Sequence, residues 1–229
     1  MMTQSSDTRS RLAVFDFDGT CINGQSGSLF ATYLFRHGYL GVASVLGLSW
    51  WGLRYLIHVP HRQEEAREII LRCLSALSAD QVDQMMVNFH NEILAPRYRR
   101  EAIQEVHRRH KEGCITLLVS ATFQPIAKCA AEHMGMDGVM ATEMLRNADG
   151  HYSGAVLGSV VEGHNKMVAV KTWADAHLGP GKWVVSYAYG DHYTDLELLS
   201  QAEYAFAVTP GRVLRHQAQR SDWTTLSWK

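Results

Sequence analysis

Residues 12–20, Leu-Ala-Val-Phe-Asp-Phe-Asp-Gly-Thr, constrain the chain more than any other stretch. The apolar run that opens them reads as a buried strand, and it stops abruptly in two carboxylates and a glycine. Side chains alternate along an extended chain, so Asp16 and Asp18 project to one side while Phe17 packs on the other. Two like charges held that close repel, and a bound cation relieves them. Gly19 permits a sharp turn, and Thr20 places a hydroxyl beside it. A plain strand followed by an Asp-Gly turn accounts for Asp18 and Gly19 but leaves Asp16 without a reason.

The remaining composition narrows the setting. A chain of 229 residues can bury a full core, either as one large domain or as a core with an insertion. Its net charge of −1 argues against nucleic-acid binding through bulk charge. Cys21, Cys73, Cys114 and Cys129 have neither a CxxC pairing nor metal-ligand spacing, and read as reduced, mostly buried thiols. The first eleven residues are polar, without the apolar segment of a signal peptide, and no uncharged apolar run reaches 18 residues. The expectation is a cytoplasmic protein.

After the first strand the pattern turns helical from about residue 25 to residue 94. Residues 39–53 form a 15-residue run without a charge and contain Trp50 and Trp51. They are bordered by Arg54, His58, His61 and Arg62. Such a run is too short to span a bilayer and is expected to form a helix pair buried among the other helices. The alternative is an aromatic, cation-flanked segment that touches a membrane. Pro60 breaks the chain, residues 63–77 are amphipathic, and Ser78 with Gln81 has the form of a capping box.

Beyond Pro96 helices and strands alternate. Apolar runs at 115–119, 183–189 and 205–208 read as strands, and 139–143 with 152–157 as two strands joined by a turn at 147–150. Helices are expected at 97–111, 124–134, 163–178 and 195–201, and from Gly211 to about Arg220. This alternation predicts a doubly wound, mainly parallel sheet with an all-helical insertion: residues 1–24 and 95–229 as the core, 25–94 as the insertion.

In such a sheet ligands bind beyond the carboxyl ends of the strands. Polar groups leave apolar runs there at Asp16 and Asp18, at Ser120 and Thr122, and at Asp191 and Asp195, while Lys166 lies near the start of a helix after a glycine. Taken singly, Ser120 suits a turn, Lys166 a solvated helix face, and Asp191 a helix start. Together they supply carboxylates for a cation, hydroxyls and amides for an anion, and one ammonium between them. That is an inventory for phosphoryl transfer through an aspartyl intermediate.

The motifs DFDGT (16–20), SAT (120–122), GHNK (163–166) and GDHYTD (190–195) occur in the order of the haloacid dehalogenase-like phosphatases. The chain resembles their phosphoserine phosphatase-like branch, which carries a helical cap after the first motif. The resemblance implies Asp16 as nucleophile and Asp18 as general acid and base. It implies Mg²⁺ held by Asp16, the Asp18 carbonyl and Asp191, with Asp195 behind them. Thr20, Ser120 and the amide of Ala121 would meet phosphate oxygens, and Lys166 would offset their charge. Two positions depart from the pattern. His192 stands where a small residue is usual, where it would crowd the site, lend a proton, or turn to solvent. Gln25 stands where phosphoserine phosphatases carry an acid for the substrate ammonium, which weakens phosphoserine as a substrate. The expected function is Mg²⁺-dependent hydrolysis of a small soluble phosphate ester. The alternatives are a lipid-phosphate phosphatase at a membrane surface and an inactive phosphate-binding scaffold. The oligomeric state has no signal in the sequence.

Overall fold

The structure, a computed structural model, describes residues 8–56 and 64–229. Pro60, His58, His61 and Arg62 fall outside the described residues. Seven strands form one sheet in the order β4-β3-β2-β1-β5-β6-β7. They are β1 (Ser10–Asp16), β2 (Ile115–Phe123), β3 (Gly138–Arg146), β4 (Tyr152–Leu157), β5 (Trp183–Gly190), β6 (Tyr204–Val208) and β7 (Thr224–Leu226). All neighbours are parallel except β3 and β4, which form an antiparallel hairpin. The first strand is central, so the motif that begins the chain is flanked by β2 and β5.

Alternation along β1 decides which layer each residue joins. Ala13, Phe15 and Phe17 enter one buried cluster, Leu12 and Val14 the other. The second cluster is built with α7 (His164–Leu178), α8 (Leu196–Ser200) and α9 (Arg212–Arg220), through Val170, Leu198 and Leu214 among others. The first is built with α5 (Arg100–Lys111), α6 (Gln124–Met134) and the helices that precede them. Helices therefore cover both faces, the doubly wound arrangement expected from the strand–helix alternation.

Between β1 and α5 the described chain is helical: α1 (Ser26–Arg36), α2 (Val42–Leu56), α3 (Glu65–Cys73) and α4 (Ala79–Phe89), then a π-helical turn at His90–Leu94 and a 3-10 turn at Ala95–Arg97. The Ser78–Gln81 capping box starts α4, each side chain meeting the other's backbone N–H. Tyr152 donates a 2.5 Å hydrogen bond to Asp83, and Arg146 pairs with Asp80 and Asp83, so the β3–β4 hairpin holds α4 from the sheet side.

Two expectations are corrected, and one strand is unexpected. Residues 39–53 do not form a buried helix pair: they lead into the single helix α2, whose Val45 and Leu48 face the core while Val42, Leu46, Trp50 and Leu53 are exposed. A uniformly apolar run hides which side of a helix has a partner, and α3 covers only one side of α2. The second strand runs on through Ser120 to Phe123, its pairing with β3 shifting after Ser120. The short final strand β7 at the sheet edge has no clear apolar run to announce it.

Candidate active site

The carboxyl ends of β1, β2 and β5 bring the motif residues together. Asp16 closes β1 with its side chain buried, and Gly190 at the end of β5 delivers Asp191 next to it. The approach is close enough that two glycines are required. A Cβ on Gly19, whose φ is +78°, would lie 2.0 Å from Asp191 Oδ2. A Cβ on Gly190 would lie 2.6 Å from the Asp195 Cβ. Carboxylate oxygens of Asp16, Asp191 and Asp195 all fall within 4.8 Å of one another.

Lys166 enters from the first turn of α7 and is only 3% exposed. Its ammonium donates to Asp16 Oδ1 and to Asp195 Oδ1, each at 2.5 Å. Asp195 also accepts the His192 N–H at 3.1 Å, which fixes the turn after Asp191. The two carboxylates keep Lys166 protonated: burial disfavours the ammonium, and the charges of Asp16 and Asp195 reverse that effect. The balance remains negative, with Asp16, Asp18, Asp191 and Asp195 set against one lysine. Burial, then the repulsion of Asp16 and Asp195, pushes the Asp191 carboxyl up to about 9. Burial likewise raises Asp16, with Lys166 pulling the other way.

This excess of buried oxygen ligands over cations fits a hard divalent ion. The clustered donors are carboxylates, no sulfur or imidazole belongs to the set, and one ammonium cannot neutralise them. The Thr20 hydroxyl beside them is fully buried without a protein partner, as suits a group that meets a ligand.

Asp18 is placed separately. It accepts the Ser26 N–H at 2.5 Å and the Ser26 hydroxyl at 2.8 Å, at the start of α1. Burial raises its carboxyl above the ordinary range, and the two Ser26 bonds hold the rise in check. Ser26 also meets Thr122 at 2.9 Å, so β1, β2 and α1 are tied at this point. On β2, Ser120 is buried and its hydroxyl accepts the Thr122 N–H at 3.1 Å. Ala121 follows, with its carbonyl accepting from Thr142 at 3.0 Å and from Arg67 Nη2 at 2.6 Å.

Every motif residue named from the sequence thus lies at one edge of the sheet, Asp18 and Thr20 included. Ser26 and Arg67 join them without a motif to announce them. Arg67 precedes the buried Ile70, Leu71 and Leu74 by three, four and seven positions, which puts it on the apolar face of α3. A lone arginine on such a face is the one signal in the sequence that points to it. Ser26 opens a helix eight residues after Asp18 and has no comparable signal. The two departures resolve differently. The His192 ring meets Thr194 at 3.1 Å and packs on Tyr193, whereas Gln25 is exposed and serves α1 with its backbone carbonyl.

A family model of haloacid dehalogenase-like hydrolases matches residues 13–200. A probable phosphatase of Mycobacterium tuberculosis is 29% identical over 218 residues, covering 94% of this chain and 75% of the relative. The histidinol-phosphatase of Neisseria meningitidis serogroup C is 24% identical over 219 residues, covering 95% of this chain and 99% of the relative. Among solved structures, a protein of unknown function from Bordetella pertussis superimposes with a TM-score of 0.85 at 28% identity, covering 96% of this chain and 99% of that one. A phospho-aspartyl intermediate analogue of phosphoserine phosphatase superimposes at 0.65 with 17% identity, covering 95% and 93%, a likeness of fold. The motif order, the doubly wound sheet and the match over residues 13–200 lead to one conclusion: the chain belongs to the haloacid dehalogenase-like hydrolases.

Proposed function

We propose that the protein is a phosphomonoesterase that works through a phospho-aspartyl intermediate on Asp16. The observation that carries this reading is the placement of Lys166 between Asp16 and Asp195 with Asp191 in the same cluster. A carboxylate ordinarily makes a weak nucleophile, and one held rigidly at a strand end gains from position. An Asp16 oxygen attacks phosphorus, forming the acyl-phosphate bond as the ester P–O bond breaks. Asp18, whose burial favours its protonated form, passes that proton to the leaving alkoxide. In the second half, Asp18 takes a proton from water as the water oxygen attacks phosphorus. Inorganic phosphate leaves and the Asp16 carboxylate is restored.

The other groups hold the transferring phosphoryl. Lys166 places positive charge against Asp16 and the phosphate oxygens, and the Thr20 and Ser120 hydroxyls with the Ala121 amide supply hydrogen bonds. Asp16, the Asp18 carbonyl and Asp191 would hold Mg²⁺, with Asp195 orienting this group through its bonds to Lys166 and the His192 N–H. When bound, the ion neutralises charge on the phosphate and on the clustered carboxylates.

The relatives named as phosphatases support a small phosphate ester as substrate. The exposed, neutral Gln25 offers no charge for a substrate ammonium, so an ester without one fits better than phosphoserine. We assign residues 25–94 as a cap that, with Arg67 reaching the Ala121 carbonyl, selects the ester. The test is phosphate release from sugar, nucleotide, amino-acid and histidinol phosphates, with Mg²⁺ and with excess chelator. Turnover of at least one ester, abolished by chelation and restored by Mg²⁺, is expected. Turnover that survives chelation would remove the metal, and absence of turnover on every class would favour a silent phosphate-binding protein.

A further inference from the structure

Among the described residues, eleven large hydrophobic side chains are exposed, and six of them fall between positions 35 and 53: Phe35, Tyr39, Val42, Leu46, Trp50 and Leu53. Spacings of four, four and three put the last four on one stripe of α2. Trp50 is 60% exposed and Leu46 65%. The opposite side of α2 is occupied: Val45 and Leu48 pack on the core, and Ser44 meets Cys73 of α3 at 3.2 Å. The helix is therefore fixed to the molecule by one face and presents a continuous apolar face outward. A patch of this kind marks an interaction surface.

We propose that the outer face of α2 docks the protein on an anionic lipid surface. Charge selects this occupant. From Gly19 to Gln63 the sequence contains no aspartate or glutamate, while Arg36, Arg54 and Arg62 give it three positive charges. Arg36 and His37 are exposed between Phe35 and Tyr39, just before α2, whereas Arg54 pairs with Glu65 at 2.5 Å. A second copy docking by the same face would bring together two acid-free segments, each with an exposed Arg36 and no acid of its own to meet the other's. An anionic lipid surface complements them, and accepts Trp50 at the depth where tryptophan is favoured. At 15 residues α2 is about 22 Å long. No described helix is long and apolar enough to cross a membrane, so α2 would lie in the plane of the surface.

The test is co-sedimentation of the full chain with vesicles of phosphatidylcholine, with and without phosphatidylglycerol, comparing wild type with the double variant Leu46→Glu/Trp50→Glu. Both positions are exposed, and retained folding is read from circular dichroism, so the result does not depend on the catalytic reading. Wild type should bind the anionic vesicles about tenfold more strongly than the neutral ones, and the folded variant should lose about tenfold. Wild type that stays in the supernatant overturns the proposal, as does equal binding by the folded variant. Light scattering on the vesicle-free protein tests the competing occupant. A concentration-dependent dimer that the variant abolishes would mean that a second copy, not lipid, covers α2.

Discussion

Among the described residues, two almost wholly buried cations each hold a pair of carboxylates, on different faces of the sheet's central strands, and they differ in whether the excess negative charge reaches water. Arg109 of α5 donates to Glu105 at 2.6 Å and to Glu112 at 2.7 Å, and both glutamates reach solvent. It also donates to the Tyr189 hydroxyl at 2.7 Å and lies 3.6 Å from the centroid of the Tyr187 ring. Its donors are occupied, and its partners carry their remaining charge into water. Lys166 has partners that are 7% and 1% exposed, with Asp18 and Asp191 close by. One arrangement is satisfied by the protein. The other carries more buried negative charge than the protein neutralises, which is costly unless a ligand completes it. The comparison teaches that burial of an ion pair does not mark a functional site. Unbalanced burial does.

The largest effect separating the two belongs to Asp16→Asn. An amide oxygen does not displace an alkoxide from phosphorus, so phosphate release should fall by about 10³-fold or more while the fold persists. Lys166→Met comes next. It strands Asp16 and Asp195 without their cation, and should cost about 3–5 kcal/mol in denaturant unfolding along with most of the turnover. The matching change in the other cluster, Arg109→Met, should cost about 2 kcal/mol, because Glu105 and Glu112 can rehydrate. Turnover per folded molecule should stay within about twofold, since Arg109 meets no group of the site. Equal catalytic losses in the two methionine variants would break the comparison.

The smallest effect is the most discriminating in sign. Asp191→Asn removes a carboxyl that the site pushes up to about 9, so in excess chelator near neutral pH, where the unfolded chain ionises that group and the folded site opposes it, the variant should be more stable than wild type by about 1–2 kcal/mol. Added Mg²⁺ should raise the wild-type melting temperature by linkage and leave that of the variant nearly unchanged. A variant that is less stable than wild type in chelator would mean that the cluster is balanced without a cation.

Much of this is legible in the residues, for identifiable reasons. The parallel strands are short, continuous apolar runs that end in polar groups, and a strand end fixes where its next residue points. Asp16 and Asp191, at and just past strand ends, are therefore assignable to one edge from the sequence alone, and Ser120 marks where the apolar run of β2 gives way before the strand itself ends. The helical segment is less legible because helix packing depends on partners that periodicity does not name. In residues 39–53 nearly every position is apolar, so the pattern does not say that Val45 faces α3 and the core while Leu46 faces out. Arg67 and Ser26 act through the third dimension, one from a helix distant in sequence and one from a helix start, and neither lies in a motif. The short edge strand β7 lacks an apolar run of its own.

The central claim is that phosphorus is transferred to Asp16. The direct measurement is an acid quench during turnover of a hydrolysed ester, followed by peptide mapping by mass spectrometry. The account predicts a transient phosphoryl group on the peptide that carries Asp16, localised to that residue and absent from Asp16→Asn. A phosphoryl group on another residue, or turnover with none trapped anywhere and substantial activity in Asp16→Asn, would contradict it and leave direct attack by water as the mechanism.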